Sequence, residues 1–396
     1  MKHNIISLFG ISIMSLLIIS TSCNRCSQKA KHTDDTATTE DPVIQDVSYN
    51  QQITDIAMFI AGLQVDTSSE LFELSQTTQW QQFKQRMDEK WDMFYNDVDS
   101  NITPWIEKEM RLVNQQYNTL FYPFSGPDFI NADVFFPDME EYIFFGLEPP
   151  GSLPNPLSVP ETELNDYFKM YEQSIYHIIY LSFFRTHSMK VDLSSREVDG
   201  AAPVLLIFMA RAGKKIISIK PFKFGDNGSL EYDSLFNNFA PNQKFQKGVE
   251  ILFRNENDPK VQKLVYFSID ISDGYLSRNE NVVAYLEGID PNCAVYIKSA
   301  SYLLHDPFFE TIKQLILDKG NFILQDDSGM PYKYFNKDEW QVNIYGEYER
   351  PIPIFSRYFQ QDMLDEYKKQ QPEPLKFRRG YAKKSNLQIA VKKIAT

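Results

Sequence analysis

At 396 residues the chain is long enough for one large domain or two ordinary ones, and 43% apolar with 14% aromatic residues, 30 Phe and 22 Tyr among them, excludes a disordered chain. A formal charge of −13 argues against nucleic acid and against an anionic membrane surface as partners of the folded body, since both require clustered cations. Three cysteines, Cys23, Cys26 and Cys293, define neither a disulfide framework nor a thiolate zinc site, and no metal is expected.

The first 22 residues read as a targeting segment. Lys2 supplies a minimal positive start, Ile5 to Ile19 an apolar run, and Ser20-Thr21-Ser22 the small residues immediately before Cys23. About 15 apolar residues are short for a membrane span. This pattern resembles the type II signal peptide of bacterial lipoproteins, with the looser box of Bacteroidota members, since Ser20 stands where Leu is usual. The resemblance implies lipidation of Cys23, cleavage before it, a membrane partner through the lipid, and a place in the cell envelope. Residues 23–50 are polar and read as a flexible tether. No acidic cluster follows Cys23, which favours the periplasm-facing side of the outer membrane over surface exposure.

Residues 51–118 carry apolar side chains at three- and four-residue steps, from Ile53, Ile56 and Ile60 through Trp80, Phe83, Met87, Trp91 and Phe94. They predict two or three helices packed on the main domain, punctuated at Asp99-Ser100 and Pro104. Residues 119–396 form that domain. Its first unit runs from Thr119 to Glu148: an apolar strand, the turn Ser125-Gly126-Pro127-Asp128, a short amphipathic helix, and a second apolar strand ending at Glu148. A proline-dense connector follows, then a long helix from near Pro160 to about Arg185, and a helix begun at Asp199-Gly200 and closed near Gly213. Gly248 to Arg254 and Lys263 to Asp270 predict an antiparallel hairpin, as an insertion or edge element. Val295-Tyr296-Ile297 and Phe322-Ile323-Leu324 predict strands around a helix from Pro307 to Lys319 capped by Asp306, and Gln341 to Tyr345 and Leu387 to Val391 supply last antiparallel strands.

The fold expected is therefore α/β: a mostly parallel sheet flanked by helices, with an N-terminal helical region and an antiparallel hairpin insertion. The layout resembles a Rossmann-like methyltransferase sheet. In that family the first turn is glycine-rich and holds S-adenosylmethionine, and the acid ending the second strand binds its ribose; Gly126 and Glu148 fall at the matching places. The turn here has one Gly where the pattern has two or three, so the cofactor stays unassigned. The strings YPFSGPDF, FGLEP, KSASYLLH and QDDSG also resemble an uncharacterised bacterial family over about residues 118 to 391.

Open α/β sheets bind ligands at the carboxyl ends of their strands. That rule makes Ser125, Gly126, Asp128, Glu148, His305, Asp326 and Asp327 the candidate ligand-binding residues. Each has an ordinary structural role as well: Asp128 as a helix cap, Asp326-Asp327-Ser328-Gly329 as turn residues. Ser125 lacks the glycines two residues before and after that a nucleophile elbow needs, so no serine hydrolase is expected. The functional expectation is a lipid-anchored envelope protein that binds a small molecule or an envelope protein at the strand-end cleft. The alternatives are a degenerate methyltransferase-like or hydrolase-type enzyme using the strand-end carboxylates, and a structural subunit of an envelope complex.

Overall fold

The computed structural model describes residues 48–183, 198–232 and 247–393. The targeting segment, Cys23 and nearly all of the tether lie outside the described residues; the long helix, expected to run to about Arg185, ends at Leu181, where Ser182 turns left-handed. Folded structure starts slightly before residue 51. The Asn50 side chain accepts a hydrogen bond from Ile53 N, and the Asn50 amide donates to Ile216 O at 2.7 Å, so the end of the tether is tied to the sheet.

The helices of seven residues or more are α1 (Gln51–Ile60), α2 (Thr78–Asp97), α3 (Thr103–Glu109), α4 (Phe129–Phe135), α5 (Leu164–Leu181), α6 (Ala201–Arg211), α7 (Glu280–Glu287), α8 (Glu310–Lys319) and α9 (Gln361–Gln370). The strands are β1 (Thr119–Tyr122), β2 (Glu141–Gly146), β3 (Lys214–Phe224), β4 (Leu230–Tyr232), β5 (Gly248–Asn255), β6 (Gln262–Ser268), β7 (Cys293–Ile297), β8 (Gly320–Gln325), β9 (Trp340–Gly346) and β10 (Asn386–Lys392). The break expected at Asp99-Ser100 is a π-helical turn over Val98–Ile102 that leads α2 directly into α3. Among the described residues no helix is long and apolar enough to cross a membrane.

The ten strands of the described residues join one mixed sheet in the order β4-β3-β5-β6-β2-β1-β7-β8-β10-β9. The five central strands from β6 to β8 are parallel, but five of the nine pairings are antiparallel. The expectation of a mostly parallel sheet is corrected accordingly. The hairpin β5–β6 forms with the predicted pairing, yet it is neither an insertion nor an edge. Its second strand continues the parallel core beside β2, and its first carries β3 and β4 outward. Tight hairpin chemistry was readable locally; the parallel partner of β6 was more than a hundred residues away.

Side chains alternate between the two faces of the sheet. Leu120 and Tyr122 of β1, with Ala294 and Tyr296 of β7, face a core built with α1, α2, α4, α5 and α6. Phe121 of β1, with Val295 and Ile297 of β7, faces the opposite core built with α7 and α8. The N-terminal helices therefore share the larger core with the sheet. Arg211, in the last turn of α6, fastens this layer: Nε donates to Ala61 O at 2.8 Å and Nη1 to Asp88 Oδ1 at 2.9 Å.

Two local expectations resolve differently. The proline-dense loop after Glu148 serves as a cap: the Pro149 and Pro150 carbonyls accept from the Ala201 and Ala202 amides of α6 at 2.9 Å each. Gly151 and Gly200 make this possible, because a Cβ on either would run into the backbone of the other segment. The cap of α8 is not Asp306. Asp273, distant in sequence, accepts from Glu310 N and Thr311 N at 2.9 Å each, while Asp306 accepts from Tyr358 Oη at 2.8 Å.

Candidate functional site

The chain leaves β1 for α4 on one face of the sheet and leaves β7 for α8 on the other. Adjacent strands whose connections diverge in this way open a crevice beyond their carboxyl ends. A cavity of about 270 Å³ lies there, lined by the ends of β1, β2, β6 and β7. That is near the lower end of small-molecule sites, roughly 300–1,000 Å³.

Ser125, Gly126, Asp128 and Glu148 all line it. Gly126 has φ +53° and its amide donates to Phe145 O at 3.1 Å, folding the first turn against the end of β2. A Cβ on Gly146 would sit 3.0 Å from Gly126 Cα and 2.8 Å from Glu148 Oε2, so two glycines, one per strand, allow the turn to close. Ser125 Oγ donates to Phe145 O at 3.2 Å, a structural use in line with the missing elbow. Glu148 is buried, and its carbonyl accepts from Tyr266 Oη at 2.9 Å.

Asp128 combines the capping role its position suggests with an ionic one, because its two oxygens divide the work. Oδ1 accepts from the Asn131 amide at 3.4 Å and from Asn131 Nδ2 at 2.8 Å, capping α4. Oδ2 accepts from Tyr122 Oη at 3.0 Å and pairs with Lys298 Nζ at 2.8 Å. Both charged side chains are 1% exposed. Burial pushes the Lys298 ammonium's pKa down, and Asp128 pushes it back up. Nζ also donates to the Ser182 carbonyl that ends α5. Sequence reasoning passed over Lys298. Its signal was present: a lysine directly after the apolar run Ala294 to Ile297, where a solvated lysine is not expected.

Beyond Lys298 the chain turns through Ser299, Ser301 and Tyr302 at φ +51°, +53° and +57°. None is glycine, and such residues cost on the order of 1–3 kcal/mol each unless their surroundings impose them. The surroundings do. Ser299 N donates to Asp326 Oδ2 at 2.9 Å, Ala300 N to Ser328 Oγ at 2.8 Å, and Ser301 N to Tyr381 Oη at 3.1 Å, while Tyr381 Oη donates to the Ser299 carbonyl. Ser299, Ser301 and Tyr381 all line the cavity. They too were outside the sequence-derived set.

The remaining candidates stand behind this loop and do not line the cavity. Asp326 holds the Ser299 amide and Ser328; burial, then Asp327 beside it, pushes its carboxyl up to about 6. Asp327 accepts from Tyr302 Oη and from Asn386 Nδ2 at 3.0 Å, and burial raises its pKa as well. His305 packs edge-on against Tyr302 and Tyr358, and burial lowers its pKa to about 4, leaving a neutral ring at pH 7. Of the seven candidates, several of which were expected to converge in one cleft, four line it, with the two aspartates as supports of its wall and His305 in the aromatic layer behind. Asp128, Lys298, Ser125 and Tyr381 bind one another or fix backbone, whereas the Ser299 hydroxyl is buried with no hydrogen-bond partner among the described residues. Among the described residues no group of three or more His, Cys, Asp or Glu side chains could hold a metal ion. No family model, no curated protein and no solved structure matches this chain.

Proposed function

We propose that this chain is a lipid-anchored lipoprotein of the bacterial cell envelope whose α/β domain binds a small molecule in the crevice between the ends of β1 and β7. The observation that carries the binding half is the left-handed loop Ser299–Tyr302, pinned by three separate side chains along one wall of the cavity. Backbone strain held by so many partners is characteristic of sites that need a fixed shape. Phe124, Phe145, Ile269, Ile271 and Leu303 make most of the lining apolar, which suits a compact, largely apolar ligand oriented by a few polar groups.

The test is native mass spectrometry of the full chain extracted in mild detergent, followed by a thermal-shift screen of small molecules. An Ile271→Trp variant, which fills the cavity, serves as the comparison. A ligand bound by the parent and lost from the variant, with unchanged circular dichroism, supports the reading. Binding that persists in the filled variant, or no binding by either, overturns it. The anchor rests on the residues around Cys23, and Cys23→Ala should release the protein from the membrane fraction; unchanged fractionation removes that half.

A second reading, a degenerate methyltransferase-like enzyme, draws support from strand order. Taking β1, β2, β6, β7, β8, β9 and β10 as first to seventh, the sheet runs 3-2-1-4-5-7-6, whose first five strands follow the doubly wound dinucleotide-binding order. Gly126 and Glu148 keep the places that the resemblance gives to cofactor and ribose contacts. Against it, the Asp128–Lys298 pair stands at the crevice floor and the first turn closes onto Gly146. Isothermal titration with S-adenosylhomocysteine decides between the two: saturable binding weakened by Glu148→Gln supports the enzyme, and its absence supports a retained fold with a different ligand.

A further inference from the structure

A second cavity, of about 190 Å³, lies in the helical layer between the ends of α2 and α5 and the segment around residue 379. Buried polar atoms without hydrogen-bond partners concentrate around it. Arg379 Nε and Nη2, Arg378 Nε and Ser182 Oγ are all of this kind among the described residues, and their three residues line the cavity. Arg379 is only 4% exposed. Its faces are covered by Phe135 and Phe377, with the guanidinium carbon 5.6 and 5.8 Å from the ring centroids, and its Nη1 donates to Arg378 O at 2.6 Å. What remains is one edge, Nε and Nη2, whose two N–H bonds run parallel. That edge has the geometry a carboxylate takes up with both oxygens.

A guanidinium edge left without hydrogen bonds this deep is costly, and a cluster of orphaned polar atoms calls for a missing partner. Two opposing features enter the balance. Asp97 lines the same cavity, with Oδ1 accepting from Asn101 Nδ2 at 2.8 Å, and the carbonyl end of α5 contributes a partial negative charge. Asp97 and Asp128 act on Arg379 electrostatically, but Asp128 is already paired with Lys298, neither carboxylate hydrogen-bonds the Nε/Nη2 edge, and the Ser182 carbonyl is taken by Lys298. The Nε/Nη2 edge of Arg379 is left without a hydrogen-bond partner among the described residues. The rest of the wall is apolar, including Phe94, Ile178 and Ile179. At roughly 30 Å³ per water-sized group, the volume holds about six such groups.

We propose that this cavity is a binding site for a short-chain aliphatic monocarboxylate, its carboxylate on the Nε/Nη2 edge of Arg379 and beside Ser182 Oγ, its hydrocarbon tail among the side chains of α2 and α5. The site is separate from the strand-end crevice, and it stands or falls independently of the ligand assigned there. The test is calorimetric titration of the full chain with sodium butyrate, with butyramide, sodium phosphate and sodium chloride as comparisons. Butyrate is expected to bind saturably and to raise Tm, while butyramide, lacking the charge, does not. Arg379→Lys, which keeps the charge and loses the paired donors, should weaken butyrate by ~10-fold or more. Ile179→Trp, which fills the apolar end with the guanidinium intact, should abolish it; this variant keeps the test decisive if Arg379→Lys fails to fold. Binding no stronger than chloride, equal binding of phosphate, or undiminished binding by a folded Arg379→Lys or Ile179→Trp protein would overturn the proposal.

Discussion

Replacing Asp128 by Asn should destabilise the protein by about 3–5 kcal/mol at pH 7, the usual cost of removing one member of a buried ion pair. The substitution removes the charge and keeps the cap. Asn is as good a helix cap as Asp, so with its oxygen in the Oδ1 place the contact with the Asn131 amide survives, while its NH2 takes the Oδ2 place, where Tyr122 Oη can accept from it. Lys298, 1% exposed, is left with the Ser182 carbonyl and a neutral amide. The converse change, Lys298→Met, is milder, about 1–3 kcal/mol, because Asp128 retains Tyr122 Oη and two donors from Asn131, with the Arg379 charge close enough to interact. The double variant should lie near the milder one, since neither charge is then buried alone. A pH arm identifies the cause. With Asp128 gone, the folded pKa of Lys298 falls further below its unfolded value near 10.4, so the unfolded chain holds the extra proton across that window. Unfolding free energy of Asp128→Asn therefore rises with pH up to about 10, by at most ~1.4 kcal/mol per unit. Urea denaturation followed by tryptophan fluorescence at pH 7 and pH 9.5 measures all four proteins. A cost below 1 kcal/mol for Asp128→Asn, the same cost at both pH values, or a larger cost for Lys298→Met would refute the reasoning.

Two further substitutions examine the wall of the cavity and the aromatic layer behind it. Tyr381→Phe removes the hydroxyl that holds the Ser299 carbonyl and the Ser301 amide, and should cost on the order of 1–3 kcal/mol in chemical denaturation and weaken any strand-end ligand more than it weakens butyrate; an unchanged denaturation midpoint would show that the loop holds its left-handed turn without it. His305→Gln should flatten the pH dependence of stability between about pH 4 and 6.5. The folded histidine titrates near 4 and the unfolded one near 6.5, so its contribution is present in full above 6.5 and is lost as pH falls through 4, up to about 3 kcal/mol. Parallel stability curves for parent and variant across that window would contradict it.

The elements were legible where local pattern decides. Gln341 to Tyr345 and Leu387 to Val391 were found within a residue of β9 and β10 because each is a short apolar or alternating run between turn residues. Local pattern does not encode the partner, however. Nothing in Lys263 to Asp270 distinguishes a strand that ends a hairpin from one that also pairs in parallel with β2, and that single fact turns an edge insertion into the centre of the sheet. The cap of α8 is missed for the same reason: Asp306 has the right residue type in the right place, and Asp273 reaches the helix through the fold.

The site divides along a similar line, between residues chosen by type at strand ends and residues defined by what they lack. Asp128 was found because aspartate after a strand and before a helix is a recognisable cap. Its second role depends on Lys298, which directly follows β7 more than 160 residues later and lines the same cavity. Polar residues at strand ends also need not face the crevice. In the segment Gln325–Gly329 the aspartates turn inward to hold the Ser299–Tyr302 loop, so that mutating Asp326 would act on the proposed ligand only through the shape of that loop. Asp326 is thus a positioning residue for whatever binds there. Its effect should appear in the rate and geometry of ligand entry, read by stopped-flow association, before it appears in any change of chemistry.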